Sequence, residues 1–134
     1  MRTSVSFSLV QFGMRPGAVT EALGVQPACT DVSYVRRCGS GRKEECGLWS
    51  YDTAEAVKSR DVREHLEHLF SVFRPLRSRL EEIRPRPNVI VEVRCEAESM
   101  LRPLRLPPLE PRHVEGIAEL GAALKVALFE KSAP

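Results

Sequence analysis

Near the start of the chain Val5, Phe7 and Leu9 alternate with Ser4, Ser6 and Ser8, a period of two that predicts a strand with one buried face, ending near Gly13. Pro16 can occupy a first helical turn, where its missing N–H costs nothing, and Val19, Ala22 and Leu23 share a face before Gly24. A helix of about two turns follows from that pattern. Between Thr30 and Arg37, Val32 and Tyr34 take one phase and Ser33 and Val35 the other, so a second strand runs into a Gly-Ser-Gly loop. Cys46 to Tyr51 reads as the third strand, paired with the second as a hairpin centred near Arg42.

The strongest periodicity comes next. Val62, Leu66, Leu69, Phe73, Leu76, Leu80 and Ile83 step by four and three residues, a continuous helical stripe that must face a core. Asp61 or Ser59 supplies the N-cap, Glu64 and Glu67 lie near the positive end of the helix dipole, and Arg77, Arg79 and Arg84 lie near the negative end. Pro75 removes a backbone hydrogen bond, which predicts a kink or two abutting helices near Arg74. After Pro85 and Pro87, Val89, Val91, Val93, Cys95 and Ala97 alternate with Ile90, Glu92, Arg94 and Glu96 as a fourth strand. Ser99 to Pro108 reads as a proline-rich extended loop. Pro111 opens a short helix with Val114, Ile117, Ala118 and Leu120 apolar and Gly121 at its end, and Leu124, Val126 and Leu128 mark a last strand.

This β-α-β-β-α-β order followed by α-β predicts an α+β fold: a ferredoxin-like βαββαβ sandwich with a mostly antiparallel sheet and an added C-terminal helix and strand. The 134 residues suit a single domain, with a folded core from about residue 4 to 130 and a short C-terminal tail. Hydrophobic residues at 43% and charged ones at 28% exclude a disordered chain. Lys+Arg 20 against Asp+Glu 18 leaves a formal charge of +2, too near neutral to mark a nucleic-acid binder. The basic residues are 16 arginines and 4 lysines, but most are dispersed among glutamates. Only Arg36, Arg37, Arg42 and Lys43, at the hairpin, form a compact group.

The serine-interrupted N-terminus lacks the apolar run of a signal peptide, and no segment approaches the roughly 18 apolar residues of a membrane span. A cytoplasmic protein with reduced thiols and no membrane association is expected. Cys29, Cys38, Cys46 and Cys95 have no zinc-knuckle spacing. Cys38 and Cys46 flank the hairpin loop symmetrically, within reach of a bridge, although a reducing compartment favours two small residues closing a loop; Cys95 falls on the inward phase of its strand. His65 and His68 are three apart on the long helix, with His65 at the edge of the apolar stripe and His68 on the solvated flank. No third ligand is legible, so neither a metal nor any other cofactor is predicted. Nucleophile elbows, cysteine-protease contexts and P-loop spacing are all missing, and no catalytic residue is assigned.

Beyond these elements, several segments carry a resemblance. Leu23-Gly24-Val25-Gln26-Pro27 after the first helix, the basic loop running into Gly47-Leu48-Trp49-Ser50, the long helix with its proline, and Leu120-Gly121-Ala122-Ala123-Leu124 before the last strand resemble the bacterial domain of unknown function 4279 family, from about Ser4 to Phe129. The Gly-Leu-Trp-Ser box and the Leu-Gly-Ala turn are its most specific parts. The resemblance implies a small, stand-alone bacterial protein and no assigned reaction, and its similarity in size to toxin-immunity proteins is an analogy.

The expected function is therefore non-enzymatic binding of a macromolecule, another protein rather than a nucleic acid, with immunity to a toxin as one form. The candidate binding residues are Arg36, Arg37, Arg42, Lys43 and Trp49. The alternative is a small-molecule or anion-binding domain, or an enzyme, with Trp49 walling a groove.

Overall fold

Five strands, β1 (Ser4–Phe12), β2 (Cys29–Arg36), β3 (Lys43–Asp52), β4 (Ile90–Ser99) and β5 (Ala123–Glu130), form one open sheet in the order β2-β3-β1-β4-β5. The computed structural model describes residues 3–36, 39, 41–83, 90–99 and 108–130. Neighbouring strands are antiparallel except β4 and β5, which run parallel. The helices are α1 (Pro16–Leu23), α2 (Val62–Phe73), α3 (Arg77–Ile83) and α4 (Pro111–Glu119). The chain is thus α+β with a mostly antiparallel sheet. Its last strand joins outside β4, because a parallel pair needs a crossover and α4 supplies one.

One face of the sheet is covered. Val5, Phe7 and Leu9 of β1, Trp49 of β3 and Val93 and Cys95 of β4 are buried against Leu66, Leu69 and Phe73 of α2. Each such side chain contributes about 1.5–3 kcal/mol when fully buried. The opposite face is polar over β1 and β4, where the Ser8 and Ser50 hydroxyls meet at 2.9 Å and Lys125 reaches Glu92 at 3.1 Å.

The helical stripe is realised as predicted up to Pro75. Val62, Leu66, Leu69, Phe73 and Leu80 are buried, with Leu76 and Ile83 packed at the margin. α2 ends at Phe73, a single 3₁₀ turn spans Arg74–Leu76, and α3 resumes at Arg77, since Pro75 cannot donate to the helix ladder. Asp61 is the N-cap: its Oδ1 accepts the Arg63 N–H at 3.0 Å, while the Arg63 Nη2 lies 2.8 Å from Oδ2. Those bonds to Arg63 hold the Asp61 carboxyl below its usual range.

Other expectations need correction. Ala22, Val114 and Ala118 are exposed. The inner face of α4 is His113, Gly116, Ile117 and the following Leu120, because a side chain at Gly116 would come within 2.6 Å of the Phe70 ring and only glycine lets α4 lie this close to α2. The hairpin register also differs. Arg36 pairs with Lys43, and Cys46 stands opposite Ser33. The turn is taken earlier than a centre at Arg42 requires, at Gly39 and Gly41 with φ of 92° and 68°, and β3 starts at Lys43. Cys46 is a free thiol, as are Cys29 and Cys95. Cys38, Val89, Pro85, Pro87 and most of the proline-rich loop lie outside the described residues.

Gly47 faces the Met14 backbone, where an added Cβ would press into the Met14 carbonyl. Gly47→Ala is expected to lower stability by about 1–3 kcal/mol, read as a lower urea midpoint, whereas Gly17→Ala on α1 should be neutral or stabilising by up to about 1 kcal/mol. The Gly17 site is open space. Asp61→Ala should cost about 1 kcal/mol at pH 7. Because the folded carboxyl is shifted down, that contribution is present above the unfolded pKa of about 4 and disappears as pH falls through the folded value, so unfolding curves of the two proteins should converge in acid.

Candidate functional site

The β2–β3 hairpin carries the basic residues singled out from the sequence. Arg36 ends β2 and donates from Nη1 to the Gly41 carbonyl at 3.2 Å, bracing the turn. Lys43 begins β3 directly across from it, and Arg42 precedes it on the exposed tip. Arg37 lies outside the described residues. The structure thus brings Arg36, Arg42 and Lys43 to one end of the sheet, with Glu44 and Glu45 following on β3.

Trp49 is not part of that group. It lies six residues from Lys43 along β3, about 20 Å away. Its side chain has 0% exposure, stands edge-on to Phe73 at 6.3 Å, and donates its indole N–H to Thr20 Oγ1 at 3.0 Å. Thr20 in turn donates to the Pro16 carbonyl at 3.3 Å, so one turn of α1 is ordered around the indole. A residue with no exposed surface walls no open groove: of the two readings the sequence allows for Trp49, core residue or groove wall, the core is the one realised. Three residues of the Gly47-Leu48-Trp49-Ser50 box have packing roles: Gly47 admits Met14, Trp49 fills the core, and Ser50 pairs with Ser8 across the sheet.

The histidines are also accounted for locally. His65 is wholly buried rather than at the edge of the stripe. Its Nε2 donates to the Ser59 carbonyl at 2.7 Å, and its Nδ1 accepts from Thr53 Oγ1 at 2.6 Å. Thr53 Oγ1 itself accepts the Val5 N–H at 3.0 Å. His68 is half-buried and shares a 2.9 Å hydrogen bond with the Tyr51 hydroxyl, whose pKa is raised by burial and then by Asp52. His65 and His68 therefore do not converge on a common point. Burial pushes the Cys95 thiol up to about 12, so it is no nucleophile at neutral pH.

What the sequence does not disclose is how bare β2 is. All eight of its residues are exposed, including Val32 at 43%, Tyr34 at 73% and Val35 at 42%. Alternation of Val32 and Tyr34 with serine reads equally as a half-buried strand; the difference lies in its terminal position in the sheet, where α1 touches it but leaves all eight residues exposed. The strand's outer main-chain edge has no neighbour among the described residues. Basic tip and bare edge are contiguous.

Among the described residues no helix is long and apolar enough to cross a membrane. No curated protein and no solved structure matches the chain. The family model of the domain of unknown function DUF4279 matches residues 1–129, a span that takes in every strand up to β5, the Gly-Leu-Trp-Ser box and the Leu-Gly-Ala turn, and the chain belongs to that family.

Proposed function

We propose that the protein is a macromolecule-binding domain whose partner is another protein, and that an extended segment of the partner adds to the sheet along β2. The observation that carries this reading is an edge strand of eight exposed residues in which four successive ones, Val32 to Val35, bear no charge. Edge strands of this length are ordinarily protected by lysine, proline, a bulge or a covering element, because their free N–H and C=O groups invite pairing. β5, at the other edge, has Lys125 as its third residue, paired with Glu92. β2 has no lysine; its charges are Asp31, also the third residue, and Arg36 at its end.

Strand addition would satisfy main-chain groups that otherwise face water, while Tyr34, Val32 and Val35 supply apolar contacts on alternating faces. Arg36, Arg42 and Lys43 at the tip suit an acidic partner segment. The order β2-β3-β1-β4, all antiparallel, with α1 and α2 packed on one face of the inner strands β3, β1 and β4, further supports a ferredoxin-like core to which α4 and β5 are added.

The test is recovery of a stoichiometric protein partner from the native host by the wild-type chain, by Val32→Lys/Tyr34→Lys on β2, and by Val126→Lys on β5. The wild type and the β5 variant should retain the partner and the β2 variant should lose it, with stability changed by less than about 0.5 kcal/mol because all three positions are exposed. Failure of the wild type to hold any partner, or retention by the β2 variant, overturns the proposal.

A further inference from the structure

At the far side of the fold, α2 and α4 enclose a cleft of about 220 Å³ lined by Glu67, Phe70, Arg74, Arg112 and His113. It is smaller than the about 300–1,000 Å³ usual for drug-sized ligands, so it fits a small group. Its inner wall is His113, whose side chain is 1% exposed. The Glu110 N–H donates to His113 Nδ1 at 3.0 Å, closing a capping box at the start of α4. With Nδ1 accepting, the ring proton sits on Nε2. That buried N–H has no hydrogen-bond partner; the nearest acceptor, Glu67 Oε1, lies 3.4 Å away without the alignment of a hydrogen bond.

A buried donor without an acceptor is rare in folded proteins and is most simply explained by a missing acceptor. The chemistry at the mouth agrees. Arg112 stands there with its Nη2 2.7 Å from Glu67 and its Nε 2.9 Å from Glu110, and Arg74 lies over the Phe70 ring at 5.4 Å with its Nε 3.5 Å from Glu119. Each pair is solvent-exposed and individually weak, and an incoming oxyanion binds by displacing Glu67 from Arg112, while Glu110 and Glu119 stay on the two guanidiniums. Metal binding through His113 is disfavoured, because Nδ1 is already an acceptor and Nε2 carries the proton.

We infer that the α2–α4 cleft binds the oxyanion group, a carboxylate or a phosphate, of a small molecule. His113 Nε2–H donates to one oxygen, Arg112 and Arg74 bring positive charge to the others, and Phe70 forms the apolar floor. Nothing in this site depends on the β2 edge, and either surface can fail its test without the other.

The experiment is an NMR titration at fixed pH with inorganic phosphate in one arm and acetate in the other, following the His113 ring nitrogens and the Arg112 amide, with His68 as the internal control. A saturable shift at His113 but not at His68 is expected in at least one arm, and the tighter arm identifies the ligand chemistry. Arg112→Gln changes an exposed side chain and should weaken binding about tenfold; His113→Asn, which can keep an acceptor for the Glu110 N–H but removes Nε2, should weaken it at least as much, read at the Arg112 amide. Absence of saturation in both arms up to tens of millimolar, or equal binding by wild type and Arg112→Gln, overturns the inference.

Discussion

Phe73 stands where α2 leaves the sheet, its ring centroid 4.6 Å from that of Phe7, 5.4 Å from Tyr51 and 6.3 Å from Trp49. Two of these contacts are edge-on and the third is tilted, geometries that favour aromatic pairs beyond the area they bury. The cluster joins β1, β3 and α2 at one point, and other placements follow from it. α2 lies over β1 and β4, and Phe73 at its end reaches the rings of β3 as well. Pro75 interrupts the helix just past the junction, and a single 3₁₀ turn leads into α3, which packs beside α1. α1 is fixed through the same cluster, because the indole that meets Phe73 also holds Thr20.

A second constraint is polar and sits at the other end of α2. Thr53 accepts from Val5, donates to His65, and His65 donates to the backbone of Ser59, so a strand, a loop and a helix share one buried chain of hydrogen bonds. In a low-dielectric interior such a chain stabilises only when every member is satisfied, and here each of these bonds has both its donor and its acceptor. It fixes the entry of α2 while Phe73 fixes the exit. Between the two, the apolar stripe has little freedom to slide.

The elements were largely legible because their periods are clean. The serine alternation of β1, the seven-position stripe of α2 and α3, and the proline break correspond to residues that packing requires. Failures cluster where a residue's environment is set by a partner element rather than by its own neighbours. His65 looked marginal because histidine is polar, yet its two ring nitrogens are matched by Thr53 and Ser59. Val114 looked inward because it is apolar, yet Gly116 sets how α4 rotates against Phe70. Of the candidate site, the basic tip could be read from sequence, whereas the bareness of Val32, Tyr34 and Val35 depends on strand order. For Trp49 the sequence leaves two readings, since tryptophan serves cores and grooves alike, and its 0% exposure decides for the core.

Residues that packing consumes are not available to a ligand, and Gly47, Trp49 and Ser50 of the Gly-Leu-Trp-Ser box are so consumed. Function is therefore left to surfaces the packing does not use. Two such surfaces differ in kind. Along β2, repeated main-chain groups and alternating apolar side chains suit an extended polymer, whereas the α2–α4 cleft offers one oriented buried donor and flanking guanidiniums, which suit a compact anion. Strand order also keeps them apart. β2 and β5 are the outermost strands, separated by four inter-strand spacings or about 19 Å, and α4 lies over the β5 side. On the proposed reading, a segment bound along β2 would leave the cleft open.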